Sequence, residues 1–290
     1  MIEATLYTDA GCPWAYSANP ALRVLEWRFG DQLSWRLVMI GLREEPSEAA
    51  VRTYDPGRAL ARYRSYEMRY GMPFGLVAKA RPSGTGRGCR AVIAASLVEP
   101  GSEWRVFRAL QIANFTTSLY LDDAESIREA LGAEPGIDVD AIVARVDDAE
   151  VVEEYERQRA EAHSAAGTPA EAQRKTASSD GLVRFTAPSV VFRDGDRTGV
   201  AGGWQPLLAY DTVLANLEPA LERMPPPETP EWLLHFFPGG LTTAEVALLL
   251  ADGPDPVADI PAAEAALSEL VTEGKAMRTP LASDALWTKA

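Results

Sequence analysis

Cys12 sits in the stretch Thr8-Asp9-Ala10-Gly11-Cys12-Pro13-Trp14-Ala15, directly after a short apolar run and directly before a segment with a helical pattern. A thiol at such a junction meets unpaired backbone N–H groups and the positive end of a helix dipole, and both favour thiolate over thiol. A lowered pKa and a nucleophilic sulfur are therefore expected. Three chemistries are open to a lone reactive thiolate: a mixed disulfide with a low-molecular-weight thiol, non-covalent retention of such a thiol as cosubstrate, or addition to an electrophile. The spacing withholds a fourth. Ala15 stands where a Cys-x-x-Cys motif would carry its second cysteine, so a mixed disulfide on Cys12 cannot be resolved from within the motif, and an external thiol would take that place. The duller alternative is a small inherited residue whose partner has decayed.

The other cysteine, Cys89, follows a Gly-rich turn at the start of a helical run and is a candidate resolving thiol; as a small buried helix residue it would have no such role. Two distant cysteines fit a reducing compartment better than a disulfide framework. With no signal-peptide pattern and no apolar run of membrane length, a cytoplasmic chain is expected. Only two histidines are present, without paired cysteines or HExxH spacing, so neither a metal nor a tightly bound cofactor is expected; a low-molecular-weight thiol is the candidate cosubstrate.

A net charge of −14 argues against nucleic acid or an anionic membrane as partner. The charge is uneven, however: residues 52 to 90 hold nine Arg or Lys against Asp55 and Glu67. Arg58, Arg62 and Arg69 in that stretch are candidate anion ligands if they face Cys12 across a cleft. Beside the thiol, Pro13, Trp14 and Ala15 are candidate substrate contacts.

The elements that must position these residues read as follows. Residues 2 to 8 form a buried strand, Pro13 to about Gly30 a helix, and 33 to 42 a second strand, a β-α-β opening with a parallel pair. From Pro46 to about Ala166 the periodicity is helical. The polar stretch 167 to 181 reads as a mobile loop. Two apolar runs in 183 to 202 flank Asp194-Gly195-Asp196 as a hairpin, and a helix follows. After a Pro-rich linker, 224 to 230, the remainder has the order helix, helix, turn and two strands. That order resembles a winged-helix domain, but ten acidic residues against three basic ones between Pro227 and Ala290 argue against a grip on DNA.

A strand, Cys12-Pro13-Trp14 at the mouth of a helix, a second strand, a long helical insertion, and then Ala187-Pro188-Ser189 leading into a hairpin and a last helix together resemble the DsbA-like branch of the thioredoxin superfamily. The likeness is nearest its cytoplasmic FrnE-type members, which border 2-hydroxychromene-2-carboxylate isomerases and kappa-class glutathione transferases. The resemblance implies an α/β fold: a thioredoxin-like core over 1–44 and 183–223, a helical insertion over 45–182, and outside the resemblance a winged-helix-like module over 231–290. It implies that Pro188 is cis and packs beside the thiol, with Ala187 offering pairing groups to substrate. The expected function is a single-cysteine thiol-disulfide oxidoreductase acting on a small or peptide substrate. The alternatives are a thiol-dependent transferase or isomerase, and a non-catalytic binding protein that docks a protein partner, or a second copy, through its C-terminal module.

Overall fold

The computed structural model describes residues 1–179, 181–253 and 255–290. The nearly continuous apolar run Ile2–Thr8 forms strand β1, buried on both faces, and lies at the centre of the main sheet. Cys12 caps helix α1 (Pro13–Ser17), α2 (Asn19–Phe29) follows, and β2 (Leu33–Met39) pairs with β1 in parallel, Ile2 opposite Leu33 and Thr8 opposite Met39. The sequence pattern suggests one helix from Pro13 to Gly30; the break at Ala18 has a local cause. Pro20 lacks an N–H and its ring crowds the carbonyl four residues back, so the helix restarts. Strand β2 stops short of residue 42 because Gly41 takes φ +65°, where a Cβ would also fall 2.2 Å from the Tyr155 hydroxyl.

The helical stretch comprises α3 (Glu48–Arg52), α4 (Pro56–Tyr70), α5 (Gly86–Val98), α6 (Glu103–Thr116), α7 (Ala124–Leu131), α8 (Val139–Arg145) and α9 (Ala149–Ala162). Side chains of Ser47, Asp55, Asp123 and Asp138 cap α3, α4, α7 and α8. Residues 167 to 181 are not simply a loop: they hold α10 (Pro169–Ala172) and β3 (Thr176–Ser179), with Asp180 outside the described residues. Strand β4 (Leu182–Phe185) pairs antiparallel with β3 rather than joining the main sheet. This pairing runs through backbone groups, so a polar sequence serves it and leaves no apolar signature.

Strands β5 (Ser189–Asp194) and β6 (Arg197–Ala201) form the Asp-Gly hairpin and complete a four-stranded sheet in the order β2-β1-β5-β6, with β5 antiparallel to β1. Helix α11 (Leu207–Leu217) packs on its edge. The chain then continues through α12 (Pro230–Phe236), β7 (Leu241–Thr242), α13 (Thr243–Leu250), α14 (Ile260–Thr272), β8 (Ala276–Leu281) and β9 (Asp284–Lys289), with a small sheet ordered β7-β9-β8.

This C-terminal part does not hang free. The 224 to 230 stretch is hydrogen-bonded to α2, with Met224 N–H on Arg28 O at 2.8 Å and Trp27 Nε1–H on Pro225 O at 2.9 Å. Helix α13 packs against α2, and the Arg108 guanidinium of α6 bonds both Glu245 oxygens at 2.6 and 2.7 Å in a site closed to solvent. Glu245 also accepts the Thr242 N–H in a capping box. Among the described residues no helix is long and apolar enough to cross a membrane.

Candidate active site around Cys12

The turn between β1 and α1 is organised by Asp9. Its carboxylate is buried and accepts Gly11 N–H at 2.8 Å, Leu42 N–H at 2.7 Å and the Thr85 hydroxyl at 2.9 Å, with the Cys89 thiol 3.6 Å away. Burial pushes Asp9 above the usual carboxylate range, and these donors only partly offset it. Gly11 is required by close approach: a Cβ there would lie 2.3 Å from Thr85 Cγ2. The Cys12 N–H then bonds Asp9 O at 3.1 Å and sets the cysteine at the cap of α1.

The Ala187–Pro188 peptide bond is cis, and the Cys12 thiol donates to the Ala187 carbonyl at 3.2 Å. Residues 175 apart in the chain thus meet at one sulfur. The surroundings of that sulfur differ from the sequence expectation. Cys12 is only 4% exposed and belongs to an apolar cluster with Tyr7, Ala15, Phe185 and Ala187. Burial pushes its pKa up from the ordinary 9.0 to about 12; the Ala15 and Trp14 N–H groups and Arg184 pull it down, and Asp9 adds to the rise. The helix-terminus argument is therefore overruled by desolvation: the resting thiol is neutral.

Cys89 is fully buried, with its thiol facing the Asp9 carboxylate. Burial and the Asp9 charge hold its pKa well above the ordinary value, so in this position it is a packed, protonated thiol rather than a resolving one. Trp14 is 38% exposed and meets Tyr66 and Tyr70 edge-on, at 5.2 and 5.6 Å between ring centroids. Asn19 donates to Gln111 at 3.1 Å, and Tyr16 lies buried with its hydroxyl on Pro73 O at 3.0 Å; both serve the packing of α1 and α2 on the insertion.

A cavity of about 700 Å³ opens between the core and the insertion. Gly11 and Pro13, on either side of Cys12, form part of its wall; Cys12 itself does not. Arg58 and Arg62 of α4 line it, with Tyr63 and Tyr66 from the same helix. Arg69 does not. It lies about two turns beyond Arg62, with its guanidinium over the Tyr70 ring at 5.3 Å, and so drops out of the anion-binding set. Arg43, Lys79 and Arg81 also reach the cavity; Lys79 and Arg81 belong to the basic stretch 52 to 90 without being singled out there, and Arg43 lies outside it. Lys79 gives no local signal: it follows an apolar run and is 5% exposed, with Nζ on Asn114 Oδ1 at 2.8 Å and on the Leu119 carbonyl.

Residues 4–175 match the family model of the DSBA-like thioredoxin domain, which is more than half of the chain. Among solved structures, a candidate protein disulfide isomerase from Nitrosomonas europaea is 16% identical, with 74% of this chain and 96% of that chain covered and a TM-score of 0.57. A candidate DsbA oxidoreductase from Streptomyces coelicolor is also 16% identical, covering 76% and 91%, with a TM-score of 0.54. The cytosolic disulfide reductase DsbM from Pseudomonas aeruginosa is 18% identical over 69% and 88%, with a TM-score of 0.48. No curated protein matches the chain.

Proposed function

The chain belongs to the DsbA-like thioredoxin family of thiol oxidoreductases and isomerases, and we propose that within it this protein is a single-cysteine enzyme acting on small molecules. One observation carries the reading: the Cys12 thiol at the cap of α1 bonds the Ala187 carbonyl, while the residues flanking it form the wall of a cation-lined cavity. A recess of this size suits a small organic substrate better than an extended polypeptide.

Exchange would run in two steps. The Cys12 thiol gives up its bond to Ala187 and its proton to solvent, and the sulfur attacks a small disulfide. A bond forms between Sγ and the attacked sulfur, the disulfide bond breaks, and the other half leaves as thiolate. With Ala15 in place of a second cysteine, an external low-molecular-weight thiol then attacks the mixed disulfide and returns Cys12 to the thiol. A reducing compartment such as the cytoplasm would supply that thiol.

A second reading, a thiol-dependent transferase or isomerase, is favoured by the neutral, covered state of Cys12. In it the external thiol reacts from the cavity and Cys12 only shapes the turn. Cys12→Ser separates the two: it abolishes adduct formation and turnover under the first and leaves turnover largely intact under the second. For residues 231–290 the order α12, β7, α13, α14, β8, β9 supports a winged-helix-like reading. Its acidic charge suits a protein surface rather than DNA.

A further inference from the structure

Five cationic side chains line the cavity beside Cys12, and they are not equally compensated. Arg81 makes a two-pronged ion pair with Asp122, at 2.7 and 2.9 Å, and stacks on Tyr120. Arg58 lies 3.4 Å from Asp55. Arg43, Arg62 and Lys79 have no carboxylate within ion-pair distance among the described residues. The nearest polar partner of the Arg43 guanidinium is a carbonyl, Ser83 O at 3.4 Å, and both Lys79 contacts are neutral acceptors. Three uncompensated positive charges around one cavity, one of them buried, run against a chain whose net charge is −14.

Arg43 and Arg62 are exposed and Lys79 is buried, so the free-energy cost of an unpaired charge falls on Lys79, and an opposite charge beside it recovers that cost. One negative charge would match only one of the three cations that line the cavity. Four aromatic rings, Tyr54, Tyr63, Tyr66 and Phe115, make up much of the remaining wall, beside small and polar residues and one carboxylate, Asp55, which is the partner of Arg58. Tyr63 is itself held against Phe74 and Phe115, at 5.3 and 5.8 Å between centroids, so this wall is rigid.

We propose that this cavity binds an organic dianion with a flat apolar body, its acid groups held by Arg62, Lys79 and Arg43 and its body by the tyrosine wall. The proposal deepens the reading above and rests on it only for the identity of the reacting atom. A dicarboxylate and a phosphate monoester share this chemistry. Lys79 adds a thermodynamic signature. Its burial lowers its pKa from 10.5 to about 8, with Asp122 opposing and Arg81 assisting the fall, and the Tyr120 ring 5.5 Å from Nζ. At pH 9 about nine-tenths of Lys79 is neutral in the empty protein. A dianion bound beside it restores the ammonium, so binding takes up about one proton.

Isothermal titration calorimetry with phthalate, phenyl phosphate and benzoate, at low salt and in buffers of different ionisation enthalpy, tests the proposal. Phthalate or phenyl phosphate should bind at least tenfold more tightly than the monoanion benzoate, and whichever is stronger identifies the acid group. Arg62→Gln, an exposed position, should weaken the dianion at least tenfold; Lys79→Met should abolish proton uptake at pH 9. Equal binding of benzoate and both dianions, or dianion affinity untouched by Arg62→Gln, overturns the proposal. Adduct formation with glutathione disulfide, measured on the same wild-type protein, keeps the two readings apart: no dianion binding with adduct formation intact sinks only this inference, and dianion binding without an adduct sinks only the thiol mechanism.

Discussion

Alkylation of Cys12 as a function of pH reports directly on the environment of the sulfur. The structure gives the magnitude. With its pKa pushed up from 9.0 to about 12, the thiolate fraction at pH 8 falls from about one in ten to about one in ten thousand. That is a thousandfold loss, equivalent to about 4 kcal/mol, before steric cover is counted. The assay follows iodoacetamide incorporation by intact mass in Cys89→Ala, for folded protein and for the same protein in denaturant, from pH 6 to 10.5. Folded protein should react at least a thousandfold more slowly at pH 8, and its rate should climb about tenfold per pH unit to the top of the range. A rate that levels off below pH 8, or one equal to that of unfolded chain, would refute the argument that burial outweighs the helix terminus here.

The buried ion pair between α6 and α13 gives a stability test. Arg108→Leu leaves Glu245 closed off from water with only Thr242 groups hydrogen-bonded to it and the Arg23 guanidinium 3.8 Å away, and should cost about 3 kcal/mol, read as a lower urea midpoint; an unchanged midpoint contradicts the lock. Burial opposes ionisation of Glu245, but the Arg108 charge and hydrogen bonds hold its pKa below 4.5. A depressed folded pKa stabilises above the unfolded value and loses that contribution as pH falls through the folded one. Urea midpoints should therefore drop below about pH 4.5, and Glu245→Gln should flatten that slope; a variant with the wild-type acid profile would contradict the assignment. Ala15→Cys places a second thiol three residues along from Cys12. Treated with a small disulfide, it should lose two hydrogens instead of accumulating the mixed-disulfide adduct; a persistent adduct contradicts the missing-resolver account.

The periodicity of 2–8 and 33–39 and the Asp-Gly hairpin were legible because each is a local pattern with a local cause. Cys12 at a helix cap was legible for the same reason. Its pKa direction was not, because the cover comes from Phe185 and Ala187, far along the chain, and desolvation is a property of the whole cluster. Lys79 was hidden by its neighbours: a lysine beside an apolar run reads as surface, and only the approach of Asn114 and Leu119 shows it buried. Arg69 shows the converse, since shared helical composition with Arg58 and Arg62 did not bring it to the same cavity. The β3–β4 pairing left no trace in a stretch whose polar composition reads as loop.

Whether Cys12 is the reacting atom is decided most directly by intact mass after incubation with glutathione disulfide, on folded Cys89→Ala at pH 9. One adduct, on the peptide containing Cys12, reversed by added thiol and absent in Cys12→Ser, is the predicted result. Burial of the thiolate already slows folded protein about a thousandfold relative to denatured chain, so the contradicting result is folded protein that stays unmodified when the incubation is extended well beyond that factor.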